Sequence, residues 1–381
     1  MARMEPCRIA VLGAGPIGLE AAVYARRLGL PVTVYERGRV GEHVQRWGHV
    51  RLFSPFAMNV TALGRAAIRA DDPGFEFPSD NDCITGREHV AAYLDPLAHT
   101  TALADCIRLE TQVLYAGRRG LLKDDAPPDE VRAKQPFRLL IRDAKGRERI
   151  EEADVILDCT GTYGRHRWLG NGGIPAAGEL AAEPHIAYGL GDVLGDQRNH
   201  YAGKTILVVG AGHSAATSVC NLARLAEDNT ATWVIWLARC TSTQPIRRIP
   251  NDPLKERDRL AVKANTYATR PDGNVEFHNQ TFIEAIEPLG PDKGFRVAAR
   301  CAGKDKTWDV ERIIGNVGYA PDTNLRRELH EREPNYYTLG MKSQGRDSNF
   351  LLRNGYEQIR DVFRFITGRA ELDLYKQDKR G

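Results

Sequence analysis

The sequence predicts an α/β fold of two parallel-sheet domains, the second inserted in the first. Three observations predict it. An apolar strand, a glycine-rich turn, a helix and a second strand follow one another from Arg8 to Glu36, RIAVLGAGPIGLEAAVYARRLGLPVTVYE. The same succession starts again at Lys204. Short strands elsewhere end in small residues, as at Thr160-Gly161. With 381 residues the chain is longer than one core usually supports, which fits two domains.

In the first copy Ile9 to Leu12 is a short apolar run that reads as a buried strand, and it breaks into Gly13-Ala14-Gly15-Pro16-Ile17-Gly18. Apolar residues then recur at helical spacing from Leu19 to Leu28, before a second strand over Val32 to Tyr35. Gly13 allows the sharp turn, Gly15 lets backbone N–H groups approach a pyrophosphate, and Gly18 lets the helix lie close on the strand. The phosphates then sit at the positive end of the helix. Glu36 closes the second strand eighteen residues past Gly18, where its carboxylate can accept hydrogen bonds from both ribose hydroxyls of an adenine nucleotide. Arg37 follows it at the same site.

The second copy runs from a strand at Ile206 to Val209 through Gly210-Ala211-Gly212-His213-Ser214-Ala215, with alanine in the third position. A helix over Ser218 to Ala226 and a strand over Thr232 to Leu237 complete it. Two Rossmann-like dinucleotide-binding domains imply two dinucleotides. The strand ends differ: Tyr35-Glu36-Arg37 in the first copy, Leu237-Ala238-Arg239 in the second. A carboxylate would repel a 2′-phosphate, whereas Arg239 can pair with it, helped by Thr241, Ser242 or Arg247. The second site is therefore expected to prefer NADPH over NADH; the alternative is that Arg239 is a solvated strand-end charge. His213 reads as a helix-start residue beside the pyrophosphate. The expected division is 1–195 with 313–381 for the first dinucleotide-binding domain, which the resemblance given below assigns to FAD, and 196–312 for the NADPH-binding domain.

If FAD lies on the first turn, the segment after the second strand runs beside its ring end, and Trp47, Arg51, Phe53, Ser54 and Asn59 become pocket candidates. The competing reading makes Trp47 and Phe53 core aromatics and Arg51 a surface charge. Thr85 and Glu88 have the form of a capping box opening a helix through Leu97. Ile107 to Ala116 reads as one strand, in which Val113 is a further cofactor-binding candidate. Arg119 to Lys134 reads as a solvated loop, and Phe137 to Ile150 as a hairpin. Within Ala153 to Gly161 a buried strand is read over Val155 to Leu157, and it ends in the small residues Thr160-Gly161, where the backbone can pass close to a cofactor. Gln244 to Arg259 is too long for a minimal connection and reads either as a lid or as a solvated excursion. Val275 to Ile286 and Phe295 to Cys301 read as strands, and a helix is expected from about Gly355 to Ile366.

Composition narrows the partners. A net charge of +3, with Lys and Arg spread along the chain, gives no basic block for nucleic acid. No apolar run reaches bilayer length and no signal-peptide pattern opens the chain, so a cytoplasmic location is expected. The seven cysteines are widely separated, with no C-x-x-C and no metal-ligand spacing. Cys7, Cys159 and Cys220 read as buried thiols.

With both turns, the Thr160-Gly161 strand end and the segment Gly318-Tyr319-Ala320-Pro321-Asp322 in view, the chain resembles the two-dinucleotide-binding-domain flavoproteins. Among them it is most similar to the class B flavin-containing and N-hydroxylating monooxygenases. The resemblance implies FAD on Gly13, Gly15, Gly18 and Glu36, and NADPH on Gly210, Gly212, Ser214 and Ala215. It further implies Ser54 or Asn59 as the nearest occupants of a catalytic asparagine position, and a return of Gly340 to Gln344 to the flavin. Between the domains Gly178, His185 and Tyr188 echo the family fingerprint, with the aromatic one residue early. The activity it implies is a monooxygenase in which NADPH reduces FAD, oxygen adds to form a C4a-hydroperoxyflavin, and a small nitrogen or sulfur nucleophile is oxidised. The alternative is an NADPH-dependent reductase passing electrons to a quinone, a small disulfide or a partner protein. The implied partners are a small-molecule substrate and oxygen, and a homodimer is admitted.

Overall fold

The computed structural model describes residues 7–270, 272–290, 292–345 and 349–376. In chain order the elements that matter here begin with β1 (Ile9–Leu12), α1 (Pro16–Arg27), β2 (Val32–Tyr35), α2 (Ala62–Asp71), β3 (Ile107–Arg108), β4 (Gln112–Arg118), β5 (Phe137–Arg142), β6 (Glu148–Ala153) and β7 (Val155–Asp158). They continue with β8 (Ala187–Tyr188), β9 (Thr205–Val209), α3 (His213–Asp228), β10 (Trp233–Leu237), α4 (Lys255–Thr269), β11 (Val275–His278), β12 (Thr281–Pro288), β13 (Phe295–Cys301), β14 (Lys304–Val310) and β15 (Arg312–Gly315). The chain closes with β16 (Tyr336–Thr338), α5 (Met341–Gln344) and α6 (Leu352–Thr367).

The chain divides into two compact units, residues 1–164 with 321–381, and residues 165–320. Each holds a five-stranded parallel sheet and a three-stranded antiparallel sheet. In the first unit the orders are β16-β7-β1-β2-β3 and β4-β5-β6; in the second they are β11-β10-β9-β15-β8 and β12-β13-β14. The division differs from the expected 195/196 and 312/313. Residues 165–195 pair within the second unit, through β8 on β15 and through bridges from Gly170 to Ile283 and from Ala177 to Ala285. β15 itself lies beside β9.

The parallel strands are apolar throughout because both faces of such a sheet are covered. β1 and β7 are buried along their whole length. α1 is buried from Ile17 to Tyr24 and Ala25, since α6 covers the side turned from the sheet, with Tyr24 stacked on Phe363 at 4.9 Å.

Several expected elements are reshaped. Ile107 to Ala116 is not one strand: Glu110 takes φ +48°, and the chain leaves β3 for β4 in the other sheet. Val275 to Ile286 breaks in the same way at Gln280, φ +46°, into β11 and β12. The loop after Arg119 ends in a short helix, Asp129–Lys134, held by Arg132 on Glu333 at 3.0 Å. The Thr85–Glu88 capping box is present, and the helical turns it opens run from Gly86 to Ala98 through a wider π segment at Val90–Leu94. The excursion from Gln244 is pinned. Ile246 is buried and exchanges two 2.9 Å hydrogen bonds with the Asn265 side chain, and Leu254 is buried just before α4 begins.

Candidate functional site

At the first turn, Gly13 takes φ +100°, and a methyl group there would stand 2.9 Å from the Cys159 carbonyl oxygen. A methyl group at Gly18 would meet the Gly13 carbonyl oxygen at 1.9 Å. Both glycines are therefore demanded by packing. Gly15 is different: its φ of −84° suits any residue, and a methyl group there would meet nothing within 4 Å. The fold leaves this position free, and a glycine there fits the close approach of a ligand. Gly15 caps α1 without a side-chain partner, Pro16 opens the helix, and no acidic residue lies in the first turn. An anion is favoured at such a helix end.

Glu36 is buried at the end of β2, and its two carboxylate oxygens accept from Ala14 N at 2.8 Å and from Gly38 N at 2.9 Å. A carboxylate has about four acceptor sites, so each oxygen keeps a lone pair for a ribose hydroxyl. The chain entering β4 passes beside it, with Thr111 N donating to the Glu36 carbonyl oxygen at 2.8 Å. Val113 itself points into a core cluster with Leu12 and Tyr35, so its side chain packs the sheet. Arg37 is exposed, 3.2 Å from His43 Nε2.

The ring-end candidates separate into two groups. Trp47 lies against Gly86, with its ring 6.3 Å from the exposed Tyr163, and its buried indole N–H has no hydrogen-bond partner among the described residues. Arg51 is exposed and bonds the Cys83 carbonyl. Ser54 and Asn59 are buried and engage each other: Ser54 Oγ donates to Asn59 Oδ1 at 2.7 Å, and Asn59 Nδ2 donates to the Ser54 and Pro55 carbonyls at 3.1 Å each. That uses both amide hydrogens, and it gives the pair a loop-holding task.

Thr160 is likewise turned inward. Its N–H and hydroxyl both donate to Asp158 Oδ1, at 3.2 and 2.6 Å, whereas Gly161, at φ +68°, faces open space. The last segment does return to this unit's turn, since a methyl group at Gly340 would meet Ile17 at 3.2 Å.

The second turn repeats the first. Gly210 takes φ +142°, and a methyl group there would stand 2.3 Å from the Asn316 carbonyl oxygen; at Gly212 it would meet nothing within 4 Å. Gly212 caps α3 with no side-chain bond, and Ser214 and the buried Ala215 lie in its first turn. Ala238 N donates to the His278 carbonyl just as Glu36 N donates to that of Arg108, so Ala238 occupies the acid's place and Arg239 stands exposed next to it. Among the described residues no carboxylate pairs with Arg239. His213, at the start of α3, has its pKa held below the ordinary imidazole value by burial and then by the charge of Arg257. Arg257 is in turn tied to Asp252 at 2.7 Å.

Besides the pairing of Arg118 and Arg132 with Glu333, two more buried clusters escaped the sequence reading. Glu20 on α1 is fully buried, accepts from Thr61 Oγ1 at 2.9 Å and from the Tyr93 hydroxyl, and burial raises its pKa to about 7 against those two bonds. Lys342 pairs with Asp158 at 2.6 Å, the two side chains 4% and 0% exposed. Glu20 and Asp158 each interrupt an apolar run, Leu19 to Val23 and Val155 to Cys159, which was the signal available in the sequence; Lys342 lies in a polar stretch that ordinarily reads as surface, so only contact geometry could find it. Cys106, Cys159, Cys220, Cys240 and Cys301 form no disulfide among the described residues. Among the described residues no group of three or more His, Cys, Asp or Glu could hold a metal ion, and no helix is long and apolar enough to cross a membrane.

The sequence model of the pyridine nucleotide-disulphide oxidoreductase family matches residues 8–40, the stretch from β1 through β2. The chain is 24% identical over 299 residues to an Arabidopsis thaliana protein named as a flavin-containing monooxygenase, FMO GS-OX-like 10. The match takes in 73% of this chain and 59% of that protein, so the chain spans less than two thirds of its relative's length. Among solved structures it is similar to the bacillithiol disulfide reductase Bdr of Bacillus cereus, with TM-score 0.67 and 16% identity over 96% of this chain and 100% of that one. It is similar also to DfoA, the cadaverine monooxygenase of Erwinia amylovora, solved with FAD, with TM-score 0.65 and 16% identity over 99% and 98%. The ornithine hydroxylase PvdA of Pseudomonas aeruginosa follows at TM-score 0.60 and 14% identity over 95% and 98%. Two turns of one geometry, each on its own parallel sheet, and likenesses to solved structures over 95% or more of the chain give it the fold of the two-dinucleotide-binding-domain flavoproteins.

Proposed function

We propose that the chain binds FAD on the first turn and NADPH on the second, and that it is a monooxygenase oxidising a small nitrogen or sulfur nucleophile. The observation that carries the cofactor assignment is the pair of strand ends: a buried, oriented carboxylate at Glu36, and an exposed, unpaired guanidinium at Arg239 with alanine in the acid's place. The carboxylate suits two ribose hydroxyls. The guanidinium suits a 2′-phosphate, which it can grip with two parallel charge-assisted bonds.

Oxygenation is favoured over a dithiol relay by the cysteines. Cys159 is the one beside a glycine turn; it is buried, and burial followed by the charge of Asp158 pushes its thiol pKa well above the ordinary value. Such a thiol is a poor thiolate. When bound, FAD would take a hydride from NADPH and pass electrons to oxygen, so the protein's task is to bind, orient and exclude water. Gly15 and the start of α1 receive one pyrophosphate, Gly212 and the start of α3 the other. Ala14 and Gly38 fix the carboxylate of Glu36, and Trp47 and Arg51 stand on the loop that follows.

A second reading, an NADPH-dependent flavoprotein reductase, draws on the end-to-end likeness to a bacillithiol disulfide reductase. One experiment separates the two. With FAD and NADPH supplied, oxygen uptake and oxidised product are measured over a panel of primary amines and sulfides. Product equal to NADPH and oxygen consumed supports the monooxygenase. Reduction of a quinone or disulfide at the same rate without oxygen supports the reductase.

A further inference from the structure

The two units close their turns with the same geometry, and this makes one of them a control for the other. Cys159 N donates to the Leu12 carbonyl and Asn316 N to that of Val209, at 2.9 and 2.8 Å, so Asp158-Cys159-Thr160-Gly161 corresponds to Gly315-Asn316-Val317-Gly318. In the second unit the strand end is neutral. In the first it carries a buried ion pair. Asp158 Oδ2 accepts from Lys342 Nζ and from the Tyr336 hydroxyl, both at 2.6 Å, while Thr160 occupies Oδ1. Lys342 Nζ also donates to Thr160 Oγ1 at 2.9 Å.

Burying a lysine and an aspartate is costly, and a well-packed neutral pair is often at least as stable. The second unit demonstrates that the architecture closes without the charges. The ammonium, moreover, has three N–H bonds. Two are used, and among the described residues the third has no acceptor.

Sheet order tells which half of a dinucleotide would meet it. Glu36, which holds the adenine ribose, ends β2 on one side of β1, whereas β7 and β16 lie on the other. A dinucleotide crossing the turn at Gly15 therefore extends its second half over the ends of β7 and β16, where Asp158 and Lys342 stand. We propose that Lys342 is a cofactor-contacting residue that donates its remaining N–H to an oxygen or nitrogen acceptor of the flavin half, held in place by Asp158, Thr160 and Tyr336. This rests on FAD occupying the first turn.

The test compares FAD with ADP, which shares only the adenosine and phosphates. Lys342→Met is combined with Asp158→Asn, so that no carboxylate is left buried alone; Lys342→Gln, which keeps a donor toward Thr160, is the second variant. Affinities for ADP and FAD and the flavin midpoint potential are measured in the purified full chain. The expected result is unchanged ADP affinity, weaker FAD binding, and reduced FAD weakened about tenfold more than oxidised FAD. That difference lowers the potential by about 30 mV for a two-electron couple. FAD affinity and potential equal to those of the unaltered protein would overturn the proposal, as would an equal loss of ADP and FAD, which would make the cluster a support of the turn alone. If the unaltered protein takes up ADP but no FAD, the FAD assignment itself fails and the proposal with it.

Discussion

In the first unit Gly13 lies under the carbonyl of Cys159, and in the second Gly210 lies under that of Asn316. Both turns open onto a glycine with clear space before it, Gly15 or Gly212, and both sheets hand the chain to an antiparallel sheet through one residue at positive φ, Glu110 or Gln280. Besides the ion pair at the end of β7, the units part company at three places. The third turn position is Gly18 in one and Ala215 in the other. The next face of the helix carries a buried Glu20 in one and, in the other, Thr217, whose hydroxyl bonds back to the His213 carbonyl at 3.0 Å. The second strand ends in Glu36 or in Ala238. What is common follows from backbone sterics at a strand-to-helix turn, and what differs lies where a ligand or a neighbouring helix is met.

The sharpest break is expected at the third position. Gly18→Ala would drive a methyl group to 1.9 Å from the Gly13 carbonyl oxygen, a backbone group that cannot step aside. Thermal unfolding should show a loss of about 3 kcal/mol, confined to the first unit. Ala215→Gly in the second should cost about 1 kcal/mol, as a helix glycine does. Equal effects at the two positions would mean that the helices do not approach their strands differently.

Glu20 should give the first unit a pH dependence that Thr217 does not give the second. Its folded pKa of about 7 lies above the ordinary 4.5, so the native state holds a proton that the unfolded chain has lost. Below pH 4.5 there is no penalty; stability falls as pH rises through the interval and the loss is complete above about 7. Glu20→Gln should therefore stabilise the protein by roughly 2–3 kcal/mol at pH 8 and by little at pH 4.5. Denaturant unfolding at the two pH values checks it, and a gain that is the same at both would refute the buried-proton account.

Arg239→Ala should reduce the preference for NADPH over NADH at least tenfold, about 1.5–3 kcal/mol for a charge-assisted contact, with NADH affinity nearly unchanged. Titration of both nucleotides on the purified protein reads this directly. The smallest effect on stability is expected at the open glycines. Gly15→Ala and Gly212→Ala should leave the unfolding free energy equal or higher by up to about 0.4–1 kcal/mol, while each weakens binding of the dinucleotide at its turn about tenfold. A loss of stability at either would show that the glycine serves the fold and not the ligand.

Asn59→Ala is expected to loosen its own loop, since the amide holds the Ser54 and Pro55 carbonyls. Their place after the second strand made Ser54 and Asn59 pocket candidates and the family resemblance offered them as catalytic, whereas their mutual hydrogen bonding could be read only from coordinates. The same holds for Thr160. Its position at a strand end was legible, but that its hydroxyl turns inward to Asp158 was not, because the partner Lys342 arrives from 182 residues further along.

The sequence by itself determined the two strand-turn-helix units, with β1, β2 and β13 bounded to the residue, the glycine positions, and the contrast between Glu36 and Ala238-Arg239. These are local: apolar runs, glycines at turns and a strand-end charge declare themselves within about thirty residues. Only the tertiary structure decided that Ile107 to Ala116 and Val275 to Ile286 each divide between two sheets, that residues 165–195 pair with the second unit, and that Glu20, Asp158 and Lys342 are buried. A strand's hydrophobic pattern continues through a change of sheet. Whether a charged side chain meets water or a partner depends on what distant segments bring against it.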